Sequence, residues 1–230
     1  MDATITAGYA EAHVAADSLH TEHGAGAGAS IDLGRRRDGL SQALARSDSW
    51  DREHEQHVSA LTAGLFRALR GCHGLGDENL MLMYCATRLA VTRSWDLQYL
   101  VETRLRALLG RYGVETLTAR QVTMVAAIAQ HGAGSTLPDR DRAYWHLADR
   151  DRDAVRWCAA ILQTAQGFDT DQRGTVRSLL AACESEELVI VAGCVGDADV
   201  NVAEGGHAAA ALAWKARARL KVVEIDGFGA

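Results

Sequence analysis

The stretch DREHEQHVSALTAGLFRALRGCHGLG (residues 51–76) decides how the rest of the chain is read. Val58, Leu61, Leu65 and Leu69 recur at i, i+3, i+7 and i+11, which puts them on one face of an α-helix spanning 51–71. His54 and His57 stand at the front of that helix. His54 lies within the apolar stripe and His57 at its edge. A histidine on an apolar face is expected to be half-buried and satisfied by a carboxylate or a backbone carbonyl. His57 is expected to be solvated.

Working outward, helical patterns follow one another. DENLMLMYCATRLAV (77–91) is apolar nearly all round, the mark of a central buried helix. LQYLVETRLRALLGRYG (97–113) is amphipathic and stops at a glycine. TARQVTMVAAIAQHG (118–132) opens on Thr118, a good N-cap, and ends at Gly132. DRDAVRWCAAILQTAQGF (151–168) is another core-facing helix, and DGLSQALARS (38–47) is a short one ahead of them all.

The pattern then changes. VRSLLAACESEELVIVAGC (176–194) reads as strand, acidic turn, strand, and DVNVA (199–203) as a candidate third strand. GGHAAAALAWKARARL (205–220) predicts a helix, with Trp214 and the alanines before it packed on the sheet, and KVVEI (221–225) predicts a closing strand. The expected fold class is mainly α: a helical bundle with a small C-terminal α+β unit, a hairpin plus a helix. Residues 1–38 are expected to form a flexible or poorly packed arm, because GAGAGAS lacks the Gly-Lys-Ser/Thr ending and the preceding strand of a phosphate loop. Residues 39–174 then make the helical domain and 175–230 the α+β subdomain.

The 230 residues are 48% apolar and 23% charged with net charge −6, the profile of a globular chain that attracts neither nucleic acid nor an anionic membrane. The five cysteines include no C-x-x-C pair and read as free thiols of a reducing compartment. Cys72, beside His73, has no basic cluster that activates it. No basic-then-apolar leader is evident, and no apolar run approaches the ~20 residues of a membrane span, so the cytoplasm is the expected location. The run LPDRDRAYWHLADRDRDAVRW (137–157) alternates acid and base, so Arg140, Arg142, Arg150 and Arg152 read as a solvated helix start more than as an anion site.

These elements, in this order, resemble the C-terminal HD-like domain of the exopolyphosphatase / guanosine pentaphosphate phosphatase family. His54, Val58, Leu61, Leu65 and Phe66 match the family's helical offsets without gaps. HGLGDENLMLMYCA, LTARQVTMVAAIAQHG, LADRDRDAVRWCAAILQTAQGFD and ELVIVA…LAWKARARLKVVEI continue the likeness over most of residues 39–226. HD-type hydrolases hold a divalent metal with a histidine, a vicinal His-Asp pair and a later aspartate, and the metal acidifies the attacking water. His54 stands at the first position, but Leu89 and Ala90 stand at the pair. Gln166 occupies the later position, with Asp169 three residues on; Asp96 stands where the family often has a histidine, and His131 is in its expected place.

The resemblance implies a degenerate, non-catalytic HD-like domain without a metal cofactor. It would bind polyphosphate or a phosphorylated nucleotide, or regulate a separate catalytic subunit that supplies the family's missing actin-like half. Arg67, Arg70, Arg88 and Arg93 flank the implied pocket and are the candidate anion ligands, Arg88 above all because it interrupts an apolar helix. Two alternatives remain. One is a metal-dependent phosphohydrolase using Mg or Mn with His54, Asp96, His131 and Asp169. The other is a structural module that homodimerises through the helix of residues 97–111.

Overall fold

The computed structural model describes residues 52–91, 117–132, 142–184 and 186–226. The N-terminal arm, the helices expected at 38–47 and 97–113, and Arg93, Asp96 and Arg140 lie outside the described residues. The chain divides into units Met1–Arg35 and Arg36–Ala230, and every described residue belongs to the second.

Helix α1 (Arg52–Ala68) buries Val58, Leu61, Leu65 and Phe66, the face that its spacing predicts. A break at Leu69 separates it from the short α2 (Arg70–His73), which Gly74 ends in the left-handed region at φ +62°. Helix α3 (Asp77–Val91) carries Asp77 and Glu78 in its first turn, where the positive helix terminus favours carboxylates. Helix α4 (Ala119–Gly132) opens on a reciprocal cap: the Gln121 backbone N–H donates to Thr118 Oγ1 at 3.3 Å, and the Thr118 N–H donates to Gln121 Oε1 at 2.9 Å. After the single turn α5 (Arg142–Trp145) comes α6 (Asp149–Gly167), which packs against α1, α3 and α4. Val155, Cys158, Ile161, Leu162 and Ala165 of α6 lie at the centre of the core.

Strands β1 (Val176–Glu184) and β2 (Glu187–Cys194) form an antiparallel hairpin. Helix α7 (Asp199–Ala216) then carries the chain across to β3 (Arg219–Asp226), which pairs parallel to β2. The sheet order is β1-β2-β3. Leu188, Ile190, Ala192 and Cys194 alternate onto the buried side of β2. Helix α1 packs on β1, and α7 packs on the sheet and along α6. The α+β segment is thus built into the same compact unit as the helices. The described residues are mostly helical with one small three-stranded sheet, as the sequence predicts.

Two expectations are corrected. DVNVA is the first turn of α7, not a strand. The alternation of Val200 and Val202 misleads, because Val200 is 62% exposed and the residues that face inward are Asn201, Gly205, Ala209 and Leu212 at helical spacing. Trp214 does not pack on the sheet: it is 80% exposed, while Leu212 and Ala213 beside it are buried.

The crossing of α6 and α7 depends on glycine. A Cβ on Gly205 would lie 2.4 Å from the Phe168 ring, and one on Gly167 would lie 2.9 Å from the Glu204 carbonyl oxygen. This close approach seats Phe168 and fixes the turn that follows α6.

No described helix is long and apolar enough to cross a membrane.

Candidate functional site

The turn after α6 presents Asp169 to the front of α1. The Asp169 N–H donates to the Gln166 carbonyl at 3.1 Å, and its own carbonyl accepts from the Gln172 N–H at 3.1 Å. Gln172 and Gly174 both take positive φ, at 60° and 62°, which folds the chain back on itself. The Gly174 N–H then donates to Asp169 Oδ1 at 3.0 Å. The other carboxylate oxygen, Oδ2, accepts from His54 Nδ1 at 2.8 Å. His57 Nε2 stands 3.8 Å from Oδ1.

Asp169 is only 1% exposed in its side chain, so its charge is balanced by these donors and not by water. An ionised carboxylate only accepts hydrogen bonds, so His54 donates from Nδ1. The bond joins α1 to the α6–β1 turn. His57 is not the solvated residue that its edge position suggests. It is half-buried, and its ring lies within 3.7 Å of where a Cβ on Gly174 would sit.

A second polar cluster lies between α1 and α3. Glu55, 2% exposed, accepts from Arg88 Nε at 2.9 Å and from Ser59 Oγ at 3.1 Å through the same oxygen, Oε1. Ser59 and Thr62 continue the buried polar stripe from Glu55 along α1. Arg88 directly precedes Leu89 and Ala90, so an internal ion pair stands beside two apolar residues.

The remaining sequence candidates are dispersed. Arg67 is exposed, and Arg70 Nη2 donates to Asp77 Oδ1 at 2.5 Å. His131 packs edge-on against the buried Tyr144 ring, with centroids 5.9 Å apart. Among the described residues no three His, Cys, Asp or Glu side chains converge as a metal-holding group. The structure therefore brings His54 and Asp169 together without His131 as a third ligand.

The described part of the Asp/Arg run is absorbed locally. Asp149 and Asp151 occupy the first turn of α6. Arg152 pairs with Asp149 and donates to the Trp145 and Leu147 carbonyls, at 2.9 and 2.8 Å. Arg120 forks onto both oxygens of Asp151, at 2.7 and 2.6 Å, and reaches Glu78 at 3.2 Å, which ties α4 to α6 and α3. That fork holds the Asp151 carboxyl below its ordinary range against the opposing effect of burial.

Sequence reasoning missed His57, Glu55 and the Gly174 N–H. Glu55 leaves one legible trace: it falls four residues before Ser59 and seven before Thr62, which lays a polar line beside the apolar stripe.

No model of a known protein family matches the chain, and no curated protein matches it.

Proposed function

We propose that this chain is a non-catalytic, HD-like binding or regulatory module in which a direct His54–Asp169 hydrogen bond stands where metal-dependent hydrolases hold a cation. The observation that carries the reading is the 2.8 Å contact between His54 Nδ1 and a carboxylate that is almost fully buried. It has two supports. Leu89 and Ala90, at the positions of the paired ligands, offer no lone pair. Asp169 already accepts hydrogen bonds from His54 and the Gly174 N–H. The donor set fits a divalent cation poorly, because the cation would have to displace His54 from Asp169 and would gain nothing from the hydrocarbon beside it.

The ligand class follows from the arginines. Arg88 is held by Glu55, so a phosphoanion bound there would have to break a buried pair. Arg67 is exposed on α1, and Arg70 on α2 is exposed but already paired with Asp77, so a surface anion or an acidic partner meets Arg67 first. A regulatory partner surface therefore fits these residues better than a deep polyphosphate channel does.

Purified protein is tested with Mn²⁺ or Mg²⁺ against several phosphoesters and for polyphosphate binding at two salt concentrations. The reading expects no turnover that depends on His54, and only weak polyphosphate binding that disappears as salt rises. Metal-dependent turnover abolished by His54→Ala would establish the phosphohydrolase alternative instead.

A further inference from the structure

Helix α7 carries apolar residues on both of its faces, but only one face is covered. Asn201, Gly205, Ala209, Leu212 and Ala213 turn inward, where α7 meets the sheet and α6. On the opposite side Val200, Ala203, His207, Ala210 and Trp214 are exposed. Val200, at 62%, and Trp214, at 80%, are the most exposed large apolar side chains among the described residues. A helix that is apolar all round is ordinarily covered all round.

The exposed residues have the spacing of a helix-pairing seam. Val200, His207 and Trp214 stand seven residues apart, with Ala203 and Ala210 between them at three-residue steps. A seven-residue step drifts only ~20° around a straight helix, so the five share one face over about 21 Å. Charge is divided along the same line. Asp197 and Asp199 are exposed at the start of α7, and Arg217 is exposed just past its end. The Asp199 N–H donates to Asp197 Oδ1 at 3.4 Å, but among the described residues no ion pair engages Asp197, Asp199 or Arg217.

We propose that this face is the docking site for a second copy of the chain, with the two α7 helices antiparallel about a two-fold axis beside His207. That axis sets Val200 of each copy against Trp214 of the other. It also brings Asp199 of each copy beside Arg217 of the other, on the same side of the seam, so both charged ends are matched. The alanines at 203 and 210 let the two backbones approach closely. A parallel pair would instead oppose Asp199 to Asp199 and Arg217 to Arg217, so charge selects the antiparallel arrangement. One helix from each copy buries less than the ~800 Å² per partner of a standard interface, so the dimer is weak and forms as concentration rises. The inference is independent of the function proposed above.

The test is sedimentation of the full chain over a wide range of concentration. The weight-average mass is expected to climb from that of the monomer towards twice that value. Trp214→Glu, at an exposed position, should weaken association roughly tenfold or more without moving the thermal midpoint. Arg217→Asp should weaken it less, and adding Asp199→Arg should recover association, because the exchange rebuilds both end contacts. A mass that stays monomeric at every concentration would overturn the proposal. So would a dimer that survives Trp214→Glu unchanged, or a charge exchange that recovers nothing. The series on unsubstituted protein decides even if a variant fails to fold.

Discussion

Asp169 Oδ2 accepts a hydrogen bond from His54 Nδ1 at 2.8 Å although 115 positions of sequence separate them. This contact fastens the start of α1 to the turn after α6, and the same carboxylate closes that turn through the Gly174 N–H. One buried side chain thus sets both the local bend and the long-range docking of α1.

Asp169→Ala should therefore destabilise the protein by about 3–5 kcal/mol, the usual cost of removing one member of a buried charged hydrogen-bonded set. Asp169→Asn, which keeps an acceptor for one donor, should cost about 1–3 kcal/mol. Urea unfolding of the two variants checks the order; equal midpoints for Asp169→Ala and the parent would contradict it.

The Glu55–Arg88 pair should behave differently when one side or both are replaced. Arg88→Met alone strands the Glu55 carboxylate at 2% exposure and should cost about 3–5 kcal/mol. Arg88→Met combined with Glu55→Leu should recover most of that loss, and the double-mutant cycle measures the coupling directly. Additive losses would show that the pair does not act as a unit.

At the α6–α7 crossing, Gly205→Ala should destabilise by about 1–3 kcal/mol, because the new methyl group would lie 2.4 Å from the Phe168 ring. Gly71→Ala, with nothing within 4 Å, should be neutral or mildly stabilising, as expected for a helical glycine. Thermal melts of the two variants should therefore shift in different directions or by clearly different amounts.

His73 gives the stability a pH dependence. Its Nδ1 accepts from the Leu75 N–H at 2.9 Å, and its Nε2 donates to the Phe66 carbonyl at 2.9 Å, which fixes the neutral ring. Burial is the main cause that moves its pKa below 6.5; the Phe66 bond opposes this and Arg70 adds to it. A group with a lowered folded-state value contributes stability above its unfolded value and loses it as pH falls. Stability should decline between pH 6.5 and the lower folded value, and His73→Gln should flatten that slope in denaturant titrations. An unchanged slope would refute the assignment.

Helices α1, α3, α4 and α6 are legible because each carries its own local signals. Asp77 and Glu78 mark the start of α3, and Thr118 and Gln121 cap α4 within four residues of one another. The β1–β2 hairpin was likewise written in adjacent residues. The start of α7 was obscured because Val200 and Val202 mimic a strand, and what places Asn201 inward is a partner 30 positions away, Asp171. Trp214 was misplaced because size alone suggests burial, while its helix turns Leu212 and Ala213 inward. Of the site, the half-burial of His54 could be read from the apolar stripe; its partner stays open there between a carboxylate and a backbone carbonyl, with Asp169 one of two carboxylates considered. The approach of His57 and the Glu55–Arg88 pair depend on how α1 docks against α3 and the α6–β1 turn, and no spacing within one helix encodes that.

The most direct test of the central claim is a Mn²⁺ titration of the purified protein, followed by electron paramagnetic resonance at neutral pH. The account predicts that no Mn²⁺ is captured at a site sensitive to His54→Ala or Asp169→Ala, since the two residues satisfy each other. Stoichiometric Mn²⁺ binding that disappears in both variants would contradict it.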